Sequence, residues 1–98
     1  MDVIVRVVIR GRVQGVGFRA WTEGIAAERE LEGWVRNRRD GSVEAVFGGT
    51  QTAVLAMLEL CRQGPPSARV DVLDRSDGRP ADLALRSAGQ AFSVLATA

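Results

Sequence analysis

Residues 11–19 read Gly-Arg-Val-Gln-Gly-Val-Gly-Phe-Arg, and this stretch decides how the first strand joins the first helix. Its three glycines allow a tight turn with exposed backbone N–H groups, because glycine accepts positive φ and has no Cβ. Such N–H groups can converge on one anion, and a helix N-terminus adds partial positive charge there. Arg19 ends the turn with a planar guanidinium that suits phosphate oxygens. Taken alone, the stretch predicts either an anion site or a tight loop with a solvated arginine.

The residues on either side of this turn carry two different hydrophobic periods. Val3 to Arg10 alternates between an apolar face and a mixed face, which predicts a strand covered mainly on one side. From about Phe18 to Leu31, apolar residues recur at spacings of three and four, which predicts a helix. The turn is therefore expected to lead from a strand directly into a helix.

The same rules predict the remaining elements and the breaks between them. Gly48-Gly49 indicates a break, Thr50 or Thr52 can cap a second helix, and Gly64-Pro65-Pro66 ends that helix. The segment from Ser76 to Gln90 is polar and irregular in pattern. The predicted elements are strands at Trp34–Asn37 and Ser42–Phe47 joined by an Asp40-Gly41 turn, a helix to about Gln63, and strands at about Ala68–Leu73 and Ala91–Ala96.

This order of elements, βαββαβ plus a terminal strand, predicts an α+β fold of the ferredoxin-like type. Two helices would cover one face of a four-stranded antiparallel sheet, with the short terminal strand added. Ninety-eight residues are enough for a modest core, so one domain over residues 1–98 is expected. Fold alone does not give function, because this architecture serves many unrelated tasks.

Composition excludes several kinds of chemistry. The chain has no histidine and one cysteine, which rules out an internal disulfide and both Ser–His and Cys–His catalysis. The absence of histidine also removes the usual imidazole metal ligands. Cys61 is interpreted as a small core residue. The net charge of +1 gives no reason to expect a nucleic-acid or membrane partner, and no apolar run approaches the roughly 20 residues of a membrane span. A cytoplasmic protein is expected.

All thirteen basic residues are arginines, and several cluster in sequence near the glycine-rich turn and a second motif at residues 33–44. Most such charges are simply solvated, but their grouping would create a positive field that draws in small anions. The six arginines concerned are Arg10, Arg12, Arg19, Arg36, Arg38 and Arg39.

The second motif, residues 33–44, reads Gly-Trp-Val-Arg-Asn-Arg-Arg-Asp-Gly-Ser-Val-Glu, and its Asn37 lies 18 positions after Arg19. Both stretches, in this order and at this distance, resemble the acylphosphatase family. The family's signature pairs a Gly-x-Val-Gln-Gly-Val-x-Phe-Arg loop with a later Gly-Trp-Val-x-Asn-x-x-Asp-Gly-x-Val-Glu strand and turn. The resemblance covers nearly the whole chain and weakens after about Arg75. One departure is Arg29-Glu30, where the family often has Leu-Gly, and it leaves the end of the first helix open.

The resemblance implies the same ferredoxin-like fold and a hydrolase of small acyl phosphates that uses neither metal nor cofactor. Suitable substrates would be acetyl phosphate, carbamoyl phosphate or bisphosphoglycerate. It implies that Arg19 and Asn37 are the catalytic residues, with Arg19 on the phosphoryl group and Asn37 positioning a water. The implied phosphate-binding loop consists of Gln14, Gly15, Val16, Gly17, Phe18 and Arg19.

Some of these residues also have purely structural interpretations. An asparagine amide can donate and accept hydrogen bonds but cannot take a proton near neutrality, so Asn37 suits either water positioning or fixing the turn that follows. Gln14 is expected to pack the loop, and Phe18 to anchor it in the core. Trp34 and Val35 are expected in the core, while Asp40, Gly41 and Glu44 are expected to shape the hairpin.

Two other functions stay open at this point. A non-catalytic anion- or RNA-binding module on the same fold would need aromatic residues displayed on strands for base stacking. The strand aromatics Trp34, Phe47 and Phe92 alternate as core residues do, which disfavours that role. The other alternative is a detached relative of the acylphosphatase domain of hydrogenase-maturation carbamoyltransferases, although no zinc-finger or transferase segment follows. A monomer is expected.

Overall fold

The fold is a five-stranded sheet with two long helices packed on one face, in a computed structural model that describes residues 2–98. The elements are β1 Asp2–Arg12, α1 Phe18–Glu28, β2 Glu32–Asn37, β3 Val43–Thr50, α2 Gln51–Gln63, β4 Arg69–Asp77, α3 Pro80–Leu83 and β5 Phe92–Val94. The strand order is β4-β1-β3-β2-β5, and every neighbouring pair is antiparallel except β2 with β5. This confirms the predicted α+β arrangement and places the terminal strand at the edge beside β2.

The main core lies between the sheet and the helices α1 and α2. Alternate residues of β1 point into it, as the period of two predicts, and so do Phe47 and Phe92. These two rings stack with centroids 5.8 Å apart, which joins β3 to β5. Cys61 is buried in the same core, as predicted, and burial raises the pKa of its thiol to about 12. No helix within residues 2–98 is long and apolar enough to cross a membrane.

Trp34 is buried, but on the face of the sheet opposite α1 and α2. Its neighbour Val35 points into the main core, and a strand alternates its side chains between faces. The indole Nε1–H donates a 2.7 Å hydrogen bond to the carbonyl of Asp82 in α3. The expected burial of Trp34 is thus confirmed, while the short helix that covers it is not among the predicted elements.

Two predicted boundaries in the first half of the chain are wrong. α1 ends at Glu28 rather than Leu31, and Glu30 then adopts φ +56°. Glycine favours that left-handed region, and Glu30 lies where the signature that this sequence resembles often has glycine. The predicted break at Gly48-Gly49 is also wrong, because both residues pair with β1 and β3 continues to Thr50. Thr50 does cap α2, as predicted, with its hydroxyl oxygen accepting from the Ala53 N–H at 3.2 Å.

The second half of the chain is more ordered than its pattern indicates. β4 runs past Leu73 to Asp77 because β1 is long enough to pair with it that far. β4 is an edge strand whose residues are mostly exposed, so it lacks the apolar alternation that marks a strand. The segment predicted to be irregular, Ser76 to Gln90, therefore contains the end of β4 and α3. The final strand covers Phe92–Val94, which is shorter than the predicted Ala91–Ala96.

Candidate active site

A cleft of about 350 Å³ opens where the glycine-rich turn enters α1 and where β2 ends. It brings together Arg19 and Asn37, the two residues that the sequence singled out for catalysis. Its lining consists of Val13, Gly15, Gly17, Arg19, Ala20, Glu23, Asn37 and Val94.

The turn presents backbone donors to this cleft. Gly15 and Gly17 have φ of +73° and +80°, and a Cβ built on either would meet nothing within 4 Å. The positive φ requires glycine, because other residues there pay about 1–2 kcal/mol, and the open space beside both leaves room for a ligand. Gly17 is the N-cap of α1, and no side chain caps that helix. Within residues 2–98, the backbone N–H groups of residues 15–19 donate no hydrogen bond to another protein atom. Free donors therefore lie at the positive end of a helix dipole.

Among residues 2–98, Arg19 is the one arginine that lines the cleft, and two of the other five arginines in the predicted grouping form ion pairs outside it. Arg10 pairs with Asp40 at 3.3 Å, and Arg36 pairs with Glu44 at 2.8 Å on the opposite face of the sheet. No ion pair joins Arg19 to a carboxylate in the part of the chain that the structure describes. Its guanidinium is therefore available to an anion.

Asn37 has a firmly held backbone and an unpaired side-chain oxygen. The backbone carbonyl of Asn37 accepts from the Ala98 N–H at 3.1 Å, and Asn37 pairs with Val43 of β3 in the sheet. Its Oδ1 is buried and has no hydrogen-bond partner within residues 2–98. Leaving such an atom unpaired costs about 1–3 kcal/mol, so a buried orphan is unusual and often marks a functional site.

Asp40, rather than Asn37, fixes the turn between β2 and β3. Its Oδ1 accepts from the Ser42 hydroxyl at 2.6 Å and from the Ser42 N–H at 2.9 Å. Its Oδ2 accepts from Arg10 at 3.3 Å. The hydrogen bonds from Ser42, with a smaller contribution from Arg10, lower the pKa of Asp40 from 3.8 to about 2. Asp40 is therefore the turn residue that the sequence predicted.

The remaining members of the predicted loop hold the turn in place. Gln14 Nε2 donates to the carbonyls of Arg38 at 2.8 Å and Ser42 at 2.9 Å, which ties the loop to the hairpin after Asn37. Phe18 is buried in the core, and Val16 packs partly against it. The side chains of Gln14, Val16 and Phe18 do not line the cleft, so only their backbone could contact a ligand there.

Four lining residues were not predicted: Val13, Ala20, Glu23 and Val94. Glu23 follows Arg19 by four positions, which places both on one helix face and could have indicated it. Val94 enters the cleft because β5 pairs in parallel with β2, and no local signal reports that pairing. No group of three or more Cys, Asp or Glu side chains within residues 2–98 is arranged to hold a metal ion.

Comparison with known proteins identifies the family. The family model described as Acylphosphatase matches residues 5–83, which is most of the chain. The chain belongs to the acylphosphatase family. An acylphosphatase of Bradyrhizobium diazoefficiens is 58% identical over 94 residues, covering 96% of this chain and 95% of that protein. An acylphosphatase of Rhodopseudomonas palustris strain BisB18 is 55% identical over 98 residues, covering 99% of each. The crystal structure of acylphosphatase from Bacillus subtilis superposes with a TM-score of 0.81 at 34% identity, covering 97% of this chain and 99% of that one. The resemblance carried by the two motifs and the predicted ferredoxin-like fold are both confirmed.

Proposed function

We propose that this acylphosphatase hydrolyses the carboxyl–phosphate anhydride bond of small acyl phosphates to a carboxylate and inorganic phosphate. The observation that carries the proposal is that Asn37, whose buried Oδ1 has no partner within residues 2–98, lines the same cleft as the unpaired Arg19 and the glycines of the turn. A bound phosphoryl group would accept hydrogen bonds from Arg19 and the turn amides, and an attacking water would donate one to the unpaired Oδ1 of Asn37. Family membership supports the same activity.

Arg19 and the backbone amides of residues 14–19 bind the phosphoryl group in this proposal. A charge-assisted hydrogen bond contributes about 1.5–3 kcal/mol, so a few of them suffice to hold a small anion. The turn needs little rearrangement to do so, because Gln14 already ties it to the neighbouring hairpin. Arg19 also stabilises the negative charge that develops on the equatorial oxygens during transfer.

Asn37 positions the attacking water in line with the leaving carboxylate. Its Oδ1 accepts a hydrogen bond from the water, and its amide can donate to the phosphoryl group or the water. Phosphoryl transfer depends on positioning and charge stabilisation more than on covalent work by the protein. An acyl phosphate carries an activated leaving group, whereas a phosphate monoester does not, so monoesters should react slowly.

The proton of the attacking water passes to an oxyanion of the substrate itself. Asp40 is a poor acceptor near neutrality because its pKa lies at about 2. We expect Asp40→Asn to leave the pH profile of kcat unchanged between about pH 5 and 8. The inflection should instead follow the second ionisation of the substrate phosphate, near ~6 for ordinary phosphate esters, and should move when the substrate is changed. A fixed inflection that disappears in Asp40→Asn would show that the enzyme supplies its own base.

The same substitution has a stability signature that is separate from its kinetics. The folded-state pKa of Asp40, about 2, lies below the ordinary value of 3.8. The ionised carboxylate therefore stabilises the fold fully above about pH 4, and this contribution is lost as the pH falls through about 2. Urea unfolding should show wild type more stable than Asp40→Asn at pH 7, with the difference fading toward pH 2. A difference that is constant with pH would mean that Ser42 does not bind the ionised form.

We propose further that the protein works in the cytoplasm as a monomeric single domain, with neither metal nor cofactor.

The experiment that tests the proposed hydrolysis and its independence of metal measures phosphate release from acetyl phosphate with and without EDTA, beside a phosphate monoester of similar size. The expected result is rapid release from acetyl phosphate that EDTA does not change, with little release from the monoester. No release from acetyl phosphate above the spontaneous rate would contradict the proposed function, and loss of activity in EDTA that added metal restores would contradict metal independence.

The alternative of an RNA-binding module finds no support in the strand aromatics. Trp34, Phe47 and Phe92 are 1%, 0% and 8% exposed, so none offers a ring face to a base.

A further inference from the structure

Glu23 lies between the phosphate cleft and a second cavity. It lines both, and the second cavity has a volume of about 740 Å³. A cavity of that size is large enough for the organic part of a small-molecule ligand. Its lining consists of Glu23, Gly24, Ala27, Glu30, Leu31, Glu32, Ala91 and Phe92.

The two cavities follow one another along the same two elements. On α1, Arg19, Glu23 and Ala27 are spaced by four residues and lie on one helix face. On β5, Val94 lines the first cavity and Phe92 the second. A phosphoryl group held at Arg19 would thus have the second cavity next to it along α1, with Glu23 at the boundary between the two cavities.

The charged side chains that line the second cavity are all carboxylates: Glu23, Glu30 and Glu32. Glu23 is exposed, and neither it nor Glu30 has an ion-pair partner in the described part of the chain. Glu32 pairs with Arg86 at 3.8 Å, and the same guanidinium donates to the carbonyl of Ala91 at 3.2 Å, so one cation lies at the edge of the second cavity. Within residues 2–98, no arginine belongs to the lining itself. A substrate whose acyl group carries a second negative charge would bring that charge toward Glu23 and Glu30, which no ion pair of the described residues neutralises.

We propose that the acyl group of the substrate lies past Glu23 in the second cavity and that Glu23 is a specificity-determining residue. Its carboxylate selects uncharged or cationic acyl groups over anionic ones. The inference rests on the proposed function, since it requires the phosphoryl group to be held at Arg19. The acyl groups of acetyl phosphate and carbamoyl phosphate are uncharged, so the selection does not act against them. It does act against bisphosphoglycerate, one of the three substrates that the family resemblance implied, because its acyl group carries an additional phosphate.

The test uses three acyl phosphates that differ in the para substituent and hence in distal charge: benzoyl phosphate, 4-carboxybenzoyl phosphate and 4-(aminomethyl)benzoyl phosphate. Comparing each ratio between wild type and variant cancels the intrinsic differences in reactivity of these substrates. The quantity compared is the ratio of kcat/KM between substrates, measured in wild type and in Glu23→Gln. Two like charges about 4 Å apart in a water-like medium disfavour binding about fivefold. Glu23→Gln should therefore lower the preference for the neutral over the anionic substrate about fivefold, and should lower the preference for the cationic substrate as well.

Glu28→Gln is the matched control, because it changes the net charge equally and lies on α1 outside both cavities. It should leave both ratios at their wild-type values. Raising the ionic strength should reduce the wild-type preference toward that of Glu23→Gln, since salt screens exposed charges.

Four outcomes separate this inference from its alternatives. If wild type hydrolyses neither acetyl phosphate nor benzoyl phosphate, the proposed function itself fails. If it hydrolyses acetyl phosphate but not benzoyl phosphate, the placement of the acyl group in the second cavity is wrong. If wild type hydrolyses all three and the ratios are unchanged in Glu23→Gln, charge selection by Glu23 is wrong. If Glu23→Gln lowers all three rates by one common factor, Glu23 orients Arg19 or accepts a proton, and the specificity role is overturned.

Discussion

Replacing Asn37 with alanine is expected to lower kcat by about 10²–10³ while inorganic phosphate remains a competitive inhibitor. The fall follows from the loss of the one side chain that orients the attacking water. Phosphate affinity persists because Arg19 and the turn amides stay in place. The measurements are kcat with acetyl phosphate and the inhibition constant for phosphate in wild type and variant.

The folded state of Asn37→Ala serves as the control. The buried Oδ1 of Asn37 has no protein partner to lose, so its removal leaves no partner unpaired. The free energy of unfolding should therefore stay within about 1 kcal/mol of the wild-type value. Near wild-type kcat in a folded Asn37→Ala protein would mean that the asparagine does not position the water.

Arg19→Gln is expected to fail differently, with loss of both phosphate affinity and turnover. The substitution removes the charge and the planar fork together, and each charge-assisted hydrogen bond contributes about 1.5–3 kcal/mol. A combined loss of about 10²–10³ in kcat/KM, with a parallel rise in the inhibition constant of phosphate, should result.

Arg29→Gln provides the matched control for Arg19. It removes the same charge from an exposed residue just after α1 that does not line the cleft. It should leave both constants at their wild-type values. If the two variants behaved alike, general charge rather than a bound guanidinium would explain the effect, and the assignment of Arg19 would be wrong.

The part of the fold that sequence could predict is the part with strong local signals. β1 alternates cleanly because one face packs against helices, and Thr50 caps α2 through a local hydrogen bond. The exposed end of β4 and the four-residue α3 lack such signals, because neither buries a regular apolar face. Gly48-Gly49 was misleading for the opposite reason: pairing with β1 overrides the weak strand preference of glycine.

The residues of the candidate site fall into the same two groups, those with a local sequence signal and those without one. Residues 11–19 and 33–44 carry compact motifs, and the resemblance of these motifs to the acylphosphatase signature singles out Arg19, Asn37 and the turn glycines. Glu23 and Val94 belong to the cleft only because α1 and β5 lie side by side next to β2, which is a matter of tertiary packing. Likewise, the ion pairs that Arg10 and Arg36 form outside the cleft depend on tertiary packing, and Arg36 points away from the helices toward Glu44.

In the proposed mechanism, a water that Asn37 positions attacks the phosphorus atom in the cleft. Hydrolysis of acetyl phosphate in ¹⁸O-labelled water by the wild-type enzyme tests it most directly, with the products analysed by mass spectrometry after correction for spontaneous hydrolysis. Attack at phosphorus places one labelled oxygen in inorganic phosphate and none in acetate. Label in acetate would show attack at the carbonyl carbon, and the roles given to Arg19 and Asn37 would then be wrong.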